Sequence, residues 1–365
     1  MESAHTLYIG LLGLGTVGRG VVRSLESNRR QIESRTGSSI KVLGALVRHV
    51  EKPRNLDTSA FTVTDDPQTI LVDPRIDVVV EVMGGMEPAK SYIRQALLSR
   101  KHVVTANKEL LARHGDELGE LADRQGVRLL FEASVAGGIP VVRMVQQYLT
   151  ANRITSIRGI LNGTCNYILT KMEEDGLSFA DALQNAQRLG YAEADPQSDV
   201  EGYDSSYKLA ILANMAFPIK SPVSAVQRQG ITRISEQDIR TAQSKGCVIR
   251  LIGEAAYDGL QVNLQVGPRL LPREDALAGV RDVFNAVTLT ADVVGDLTFI
   301  GRGAGELPTA SAVIEDLMEV LRTPSPYWNA PLRSFGASEA NDKGVNRDPG
   351  AAYFDNMVAP AWLRS

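Results

Sequence analysis

"LYIGLLGLGTVG", residues 7 to 18, runs an apolar segment straight into three glycines spaced G-x-G-x-x-G. The apolar part reads as a buried β-strand, and Thr16 to Glu26 reads as a helix opening directly from the glycines. Gly13 allows the tight turn between them. Gly15 lets the backbone approach a pyrophosphate, and Gly18 lets the helix pack close to the strand. The helix N-terminus adds unpaired N–H groups and positive potential. Alone this glycine spacing is a weak signal, but between a strand and a helix it predicts a dinucleotide site. Gly13, Leu14, Gly15, Thr16, Val17 and Gly18 are therefore candidate cofactor contacts.

Outward from this turn, KVLGALV (41–47), DVVVEVMGG (77–85), HVVTANK (102–108) and VRLLFEASV (127–135) read as further strands. Helical patterns fill Pro88–Ser99 and Lys108–Arg124. Strands apolar on both faces and separated by helices predict a parallel sheet covered on both sides. The fold class is thus α/β, with an N-terminal doubly wound (Rossmann) domain over 1–138. After GGIP (137–140) the alternation breaks down. TSIRGILNG (155–163) is a strand, and helices are predicted over Thr164–Glu174 and Ser178–Leu189, then in the apolar run carrying Lys208. Ser235 and Asp238 form a capping box that starts another. CVIRLIGEAAYDGLQVNLQVG (247–267) is expected to be two strands about a Tyr-Asp-Gly turn. An α+β domain with a mixed or antiparallel sheet follows, over 139–302. A last helix with Pro308 in its first turn, within 303–322, returns to the dinucleotide domain. The tail 323–365 is Pro-rich and then polar, although Trp328, Tyr353, Phe354 and Trp362 suggest that it packs somewhere.

With 365 residues the chain exceeds one ordinary core. Its 44% hydrophobic and 22% charged residues are those of a soluble globular protein. A net charge of −4 without a basic block argues against nucleic-acid binding. Two cysteines without a CxxC pair fit a reducing cytoplasm rather than a disulfide framework or zinc site. No apolar run approaches the ~18 residues of a membrane span, and nothing in MESAHT reads as a signal sequence.

The choice of dinucleotide is read after the second strand, where an acid suits the ribose 2′-OH of NAD and an arginine suits the 2′-phosphate of NADP. Arg48 follows the strand at once, with Lys52 and Arg54 close behind and Glu51 as the only acid. NADP is preferred, with NAD acceptable. For the chemistry, none of His5, His49, His102 and His114 lies beyond the first domain, and neither cysteine has a neighbouring histidine in sequence. The acids Glu193, Asp195, Asp199, Glu201 and Asp204, by contrast, precede an apolar helix whose Lys208 stands one turn after Asp204. On a helix this pair shares one face. Burial lowers a lysine's pKa and a carboxylate raises it, so Lys208 is positioned to hold and yield a proton while the acids meet a cationic group.

These motifs together resemble the homoserine dehydrogenases, which interconvert L-homoserine and L-aspartate 4-semialdehyde in the pathway to threonine, methionine and isoleucine. The matching residues are G-L-G-T-V-G (13–18), T-A-N-K (105–108), F-E-A-S-V-A-G-G-I-P (131–140), L-N-G-T-C-N-Y-I-L (161–169), the run from Gly190 to Lys208, and G-A-G-E-L-P-T-A-S-A-V (303–313). The resemblance implies that Thr105, Gly190 and Gly305 join the cofactor site and that Lys108 sits between cofactor and substrate. It places Glu193 and Asp204, with Asp199, on homoserine, and makes Lys208 the proton donor in reduction. It implies a monovalent cation, usually sodium, on the carbonyls of Glu132, Val135, Gly137 and Ile139, and a homodimer formed through the second domain. The apolar set Val248, Ile249, Leu251, Ile252, Val262, Leu264 and Val266 is expected to supply the dimer's exposed face. Two departures stand out. Only the tail follows the last helix, where many relatives carry a threonine-sensing domain, so feedback through such a domain is expected to be absent. Arg302 stands where many relatives have proline. Competing readings are an NADP-dependent dehydrogenase of another small amino acid, and a non-catalytic redox sensor. The latter would lack a lysine paired with carboxylates.

Overall fold

The computed structural model describes residues 6–322 and divides them into two compact units, 6–143 with 304–322, and 144–303. The aromatic residues Trp328, Tyr353, Phe354 and Trp362 lie outside the described residues.

In the first unit six strands form one sheet: β1 (Thr6–Leu12), β2 (Ser39–Leu46), β3 (Thr62–Thr64), β4 (Val78–Glu81), β5 (His102–Thr105) and β6 (Leu129–Leu130). Their order is β3-β2-β1-β4-β5-β6, and every pairing is parallel. The order reverses between β1 and β4, which is where doubly wound sheets open a crevice at their carboxyl ends. Ile9, Leu11, Val78, Val79, Val80, Val103 and Val104 are buried outright, the signature of a sheet covered on both faces. Gly20 belongs to the helix Thr16–Ser27. A Cβ there would lie 2.7 Å from the Glu306 carbonyl oxygen, so glycine lets that helix pack against Glu306–Arg322.

One expectation fails in this unit. The strand predicted over 127–135 stops after Leu130. Glu132–Ser134 instead forms a 3-10 turn in which the Ser134 hydroxyl donates to the Phe131 carbonyl (2.6 Å) and the Glu132 amide to Asp316 (2.9 Å). Those bonds take the backbone out of the ladder. A helix over Arg29–Thr36 and the short strand β3 also occur where no element was expected.

The second unit carries a sheet ordered β12-β11-β7-β9-β10-β8, from β7 (Ile154–Ile160), β8 (Gln227–Arg228), β9 (Cys247–Tyr257), β10 (Val262–Pro272), β11 (Phe284–Ala291) and β12 (Gly295–Arg302). Only the β8–β10 pair is parallel, so the sheet is mixed. The Ser235 capping box forms as read from sequence. The apolar set assigned to a dimer face is corrected by the structure. Val248, Ile249, Leu251, Ile252, Leu264 and Val266 are all at most 5% exposed in the single chain, and of the set only Val262 is partly exposed. Helix Tyr203–Ala216 covers one face, its Leu209 lying against Gly253. On the other face, Val248 and Ile252 pack with Leu277, Ala278 and Val280 from the irregular segment between β10 and β11. A cover without helical periodicity left no pattern to read.

Candidate active site

The G-x-G-x-x-G turn has the geometry its glycines predict. Gly13 adopts φ 106, and a Cβ on Gly18 would run into the Gly13 carbonyl oxygen. A Cβ at Gly15 would meet nothing within 4 Å, so that side of the turn is open to a ligand. Gly15 also caps helix Thr16–Ser27 without any side-chain hydrogen bond, leaving the first amides for an anion. At the end of β2 the basic residues divide their work. Arg54 donates to the carbonyls of Val50 (2.8 Å), Lys52 (2.6 Å) and His49, which ties the loop to itself. Arg48 is exposed and makes no hydrogen bond or ion pair with any described residue. Thr105 ends β5, and Lys108 begins the helix Lys108–Gln125, capped by the Asn107 side chain. Gly305, at φ 120, precedes the helix Glu306–Arg322 in the same unit. Gly190 belongs to the second unit, at φ 75 just beyond the helix Phe179–Arg188.

In the second unit the sequence Y-D-S-S-Y-K-L-A-I-L-A-N-M-A forms a helix buried along most of its length. It ends at Phe217, which precedes a proline and is extended (φ −109, ψ 150). Asp204 is 2% exposed and Lys208 7%. The Lys208 ammonium donates to Asp204 Oδ2 (2.7 Å) and to the Leu161 carbonyl (2.7 Å). This is a buried pair, unlike the solvated i,i+4 pairs of surface helices. Asn162, which sequence reading did not single out, organises the acids. Its Oδ1 accepts from the Cys165 amide (2.8 Å), capping helix Gly163–Glu174. Its Nδ2 donates both to Asp199 Oδ1 (2.7 Å) and to Asp204 Oδ2 (2.9 Å). The only available sequence signal was an asparagine one residue before a helix, which suggests a cap. Burial raises the Cys165 thiol pKa well above its ordinary value, with Asp199 and Asp204 adding to the effect. The sulfur's contact is to the Asp199 carbonyl (3.1 Å), so Cys165 is held as a neutral packing group. Glu193 is exposed, and its carbonyl accepts from Gln187 (3.1 Å).

The segment assigned to a cation lies in the first unit. Glu132 turns its carboxylate onto the amides of Val142 (3.0 Å) and Arg143 (2.8 Å), and burial raises its pKa to about 7. Asp316, fully enclosed, is raised to about 8 by burial and then by Glu132. Ala136 and Gly137 both take left-handed φ, 55 and 53. The buried carbonyls of Val135 and Gly137 receive no backbone N–H among the described residues. Those of Glu132 and Ile139 accept from Val135 (3.4 Å) and Val141 (2.8 Å). A carbonyl has two lone pairs, so all four oxygens could also face an ion. No cluster of three or more histidine, cysteine or acidic side chains suited to a metal occurs among the described residues.

A Rossmann sheet with an open glycine turn, and a second unit presenting a buried lysine–carboxylate pair, define a nicotinamide-dinucleotide-dependent dehydrogenase. Residues 13–132 match the family model "Homoserine dehydrogenase, NAD binding domain", and 140–318 match the model "Homoserine dehydrogenase". The homoserine dehydrogenase of Bacillus subtilis is 43% identical over 314 residues, covering 86% of this chain and 72% of the relative. The crystal structure of a homoserine dehydrogenase from Thiobacillus denitrificans superposes with a TM-score of 0.85 at 43% identity, over 88% of this chain and 74% of that one. A hyperthermophilic archaeal homoserine dehydrogenase in complex with NADPH is 26% identical with a TM-score of 0.75, over 88% of this chain and 100% of that one. The chain belongs to the homoserine dehydrogenase family, oxidoreductases acting on the CH–OH group of homoserine. That settles the competing readings in favour of this enzyme over a sensor or another amino-acid dehydrogenase.

Proposed function

We propose that Lys208 moves the proton of this reaction and that the second unit binds the amino acid through Asp204, Asp199 and Glu193. The observation that carries it is the buried pair: an ammonium held at 2.7 Å by both Asp204 and the Leu161 carbonyl. When bound, the nicotinamide supplies or takes the hydride at the substrate's terminal carbon. As the aldehyde is reduced, the Lys208 ammonium donates a proton to the oxygen that becomes the hydroxyl, and it is reprotonated from solvent. In oxidation the neutral amine removes that proton. Asp204 keeps the lysine charged before transfer and oriented after it. The acids compensate the substrate ammonium, and Lys108 is assigned to the region between cofactor and substrate.

The cofactor reading is NADP with NAD accepted, supported by an Arg48 that is exposed and uncommitted beside a loop already secured by Arg54. The NADPH bound to the archaeal relative is consistent with it. A monovalent cation, sodium by family likeness, fits the oxygens of Glu132, Val135, Gly137 and Ile139, two of which lack backbone donors. The protein is assigned to the cytoplasm, and no described helix is long and apolar enough to cross a membrane. A homodimer through the second unit remains the proposed assembly. With all of its former apolar set but Val262 buried, the supporting feature is the edge strand β12, where Ile300 is 58% exposed, and the adjoining turn, where Val293 is 77% exposed. The direct test is a fall in NADPH absorbance on adding L-aspartate 4-semialdehyde, repeated with NADH and with sodium replaced by choline. Absence of oxidation with both nucleotides would refute the reading.

A further inference from the structure

The sequence D-V-V-V-E places a carboxylate at the end of a strand that is otherwise apolar, and the structure leaves Glu81 with no solvent exposure. No cationic side chain pairs with it among the described residues. Instead its Oε1 accepts from the amides of Met83 (2.8 Å) and Gly84 (3.1 Å), and its Oε2 accepts from the Thr105 hydroxyl (2.6 Å). The Thr105 oxygen in turn accepts from the Asn107 amide (3.0 Å). Asn107 donates its side-chain amide to the Gly85 carbonyl (2.7 Å) and accepts from Leu110 (3.3 Å) as the cap of the helix that begins at Lys108. One carboxylate thus ties together the two loops that leave β4 and β5 at the carboxyl edge of the sheet. The first of these supports the glycine turn, since Gly13 lies against the Val82 carbonyl. The second launches Lys108.

An unpaired buried carboxylate is costly, and a valine or leucine would fill the end of this strand at less expense. Burial pushes the Glu81 pKa up while the three hydrogen bonds pull it down, a conflict that an apolar residue would not have. What the acid supplies and an apolar residue cannot is a rigid link between loops that are separate in sequence.

We propose that Glu81 is a positioning residue for the dehydrogenase reaction, fixing the T-A-N-K turn, and through it Lys108, against the loop beneath the Gly13 turn. This rests on the reading of Lys108 as a residue between cofactor and substrate. Glu81→Gln preserves the volume and one carbonyl oxygen for the two backbone amides. Its NH₂ group cannot accept the Thr105 hydroxyl, so the substitution severs mainly that arm. In the full chain, Glu81→Gln should lower kcat by roughly tenfold or more, equivalent to about 1.4 kcal/mol or more of transition-state stabilisation. The NADPH dissociation constant, read by fluorescence, should change by less than about threefold. A merely structural role would lower the thermal midpoint without this split.

Thr105→Val removes the same bond from its other end and guards against a Glu81 variant that fails to fold, whereas Thr105→Ser keeps the hydroxyl and should restore kcat. The Glu81→Gln/Thr105→Val double variant should be no slower than the slower single. Near-normal kcat in Glu81→Gln alongside an impaired Lys108→Ala would overturn the inference while leaving the role of Lys108 intact. So would additive losses in the double variant, or a Thr105→Ser as slow as Thr105→Val. Normal turnover in Lys108→Ala would remove the reading on which the proposal rests, and the proposal with it.

Discussion

Replacing Asn162 by alanine tests whether the acids of the second unit are held by an amide or merely lie near one. Three hydrogen bonds go at once: the cap to Cys165 at 2.8 Å and the donations to Asp199 and Asp204 at 2.7 and 2.9 Å. Loss of a helix cap costs typically ~1 kcal/mol. Each bond to a carboxylate contributes ~1.5–3 kcal/mol, and Asn162 is only 5% exposed, so bulk water cannot readily replace it. The sum is about 4 kcal/mol at its lower end. That is a large share of the ~5–15 kcal/mol by which domains are stable. Urea unfolding at neutral pH, monitored alongside turnover, reads both consequences. Turnover should fall as well, because Asp204 loses a partner on the same oxygen that holds Lys208. Asn162→Asp separates the contributions, since aspartate caps the helix as well as asparagine does but cannot donate to the two acids. It should be destabilised and slow despite its intact cap. A loss of only about 1 kcal/mol in Asn162→Ala, with turnover unchanged, would reduce the residue to a cap and refute the argument.

Lys208→Ala should lower kcat by ~10²–10⁴-fold with little change in NADPH affinity, as expected for a proton-transfer group; rapid turnover in the variant would exclude Lys208 from that role. Arg48→Ala should weaken NADP much more than NAD in paired KM measurements, and equal losses would show that it does not read the 2′-phosphate. Burial, with Arg128 nearby, holds the His102 imidazole below its ordinary pKa of 6.5, while its Nδ1 accepts the Arg128 amide. The unfolded chain therefore takes up this proton first. The stability is present above about pH 6.5 and is lost as pH falls toward the folded-state pKa, at up to ~1.4 kcal/mol per pH unit. Chemical denaturation across that window should show a shallower decline in His102→Gln, and an identical slope would count against this assignment.

The glycine turn was legible because its demands fall on single residues: a positive φ at Gly13 and no room for a side chain at Gly18. The Asp204–Lys208 pair was legible because helical spacing places both on one face. The linking roles of Asn162 and Glu81 were not, since beside their local bonds to Cys165, Met83 and Gly84 they reach Asp199, Asp204 and Thr105, which lie 37, 42 and 24 positions away, and nothing local marks those meetings. The strand overrun at 127–135 had a similar cause. Phe131 and Glu132 extend an alternating pattern, while the bond that ends the strand comes from Asp316, far along the sequence. Nor could the sequence show that Val248 and Ile252 are covered by Leu277, Ala278 and Val280, which belong to no regular element.

The division of labour at the end of β2 has a consequence for changing coenzyme choice by design or by drift. Arg54 spends its guanidinium on three carbonyls of its own loop, and Arg48 spends nothing on the loop at all. If Arg48 reads the 2′-phosphate as proposed, the scaffold and the reader are different side chains. On that reading, position 48 is expected to accept small, neutral or acidic residues without a change in the loop's own hydrogen bonds, so selectivity is expected to be tunable one substitution at a time. The same experiment at position 54 would change recognition and the loop's own hydrogen bonds together, and the two effects would have to be separated.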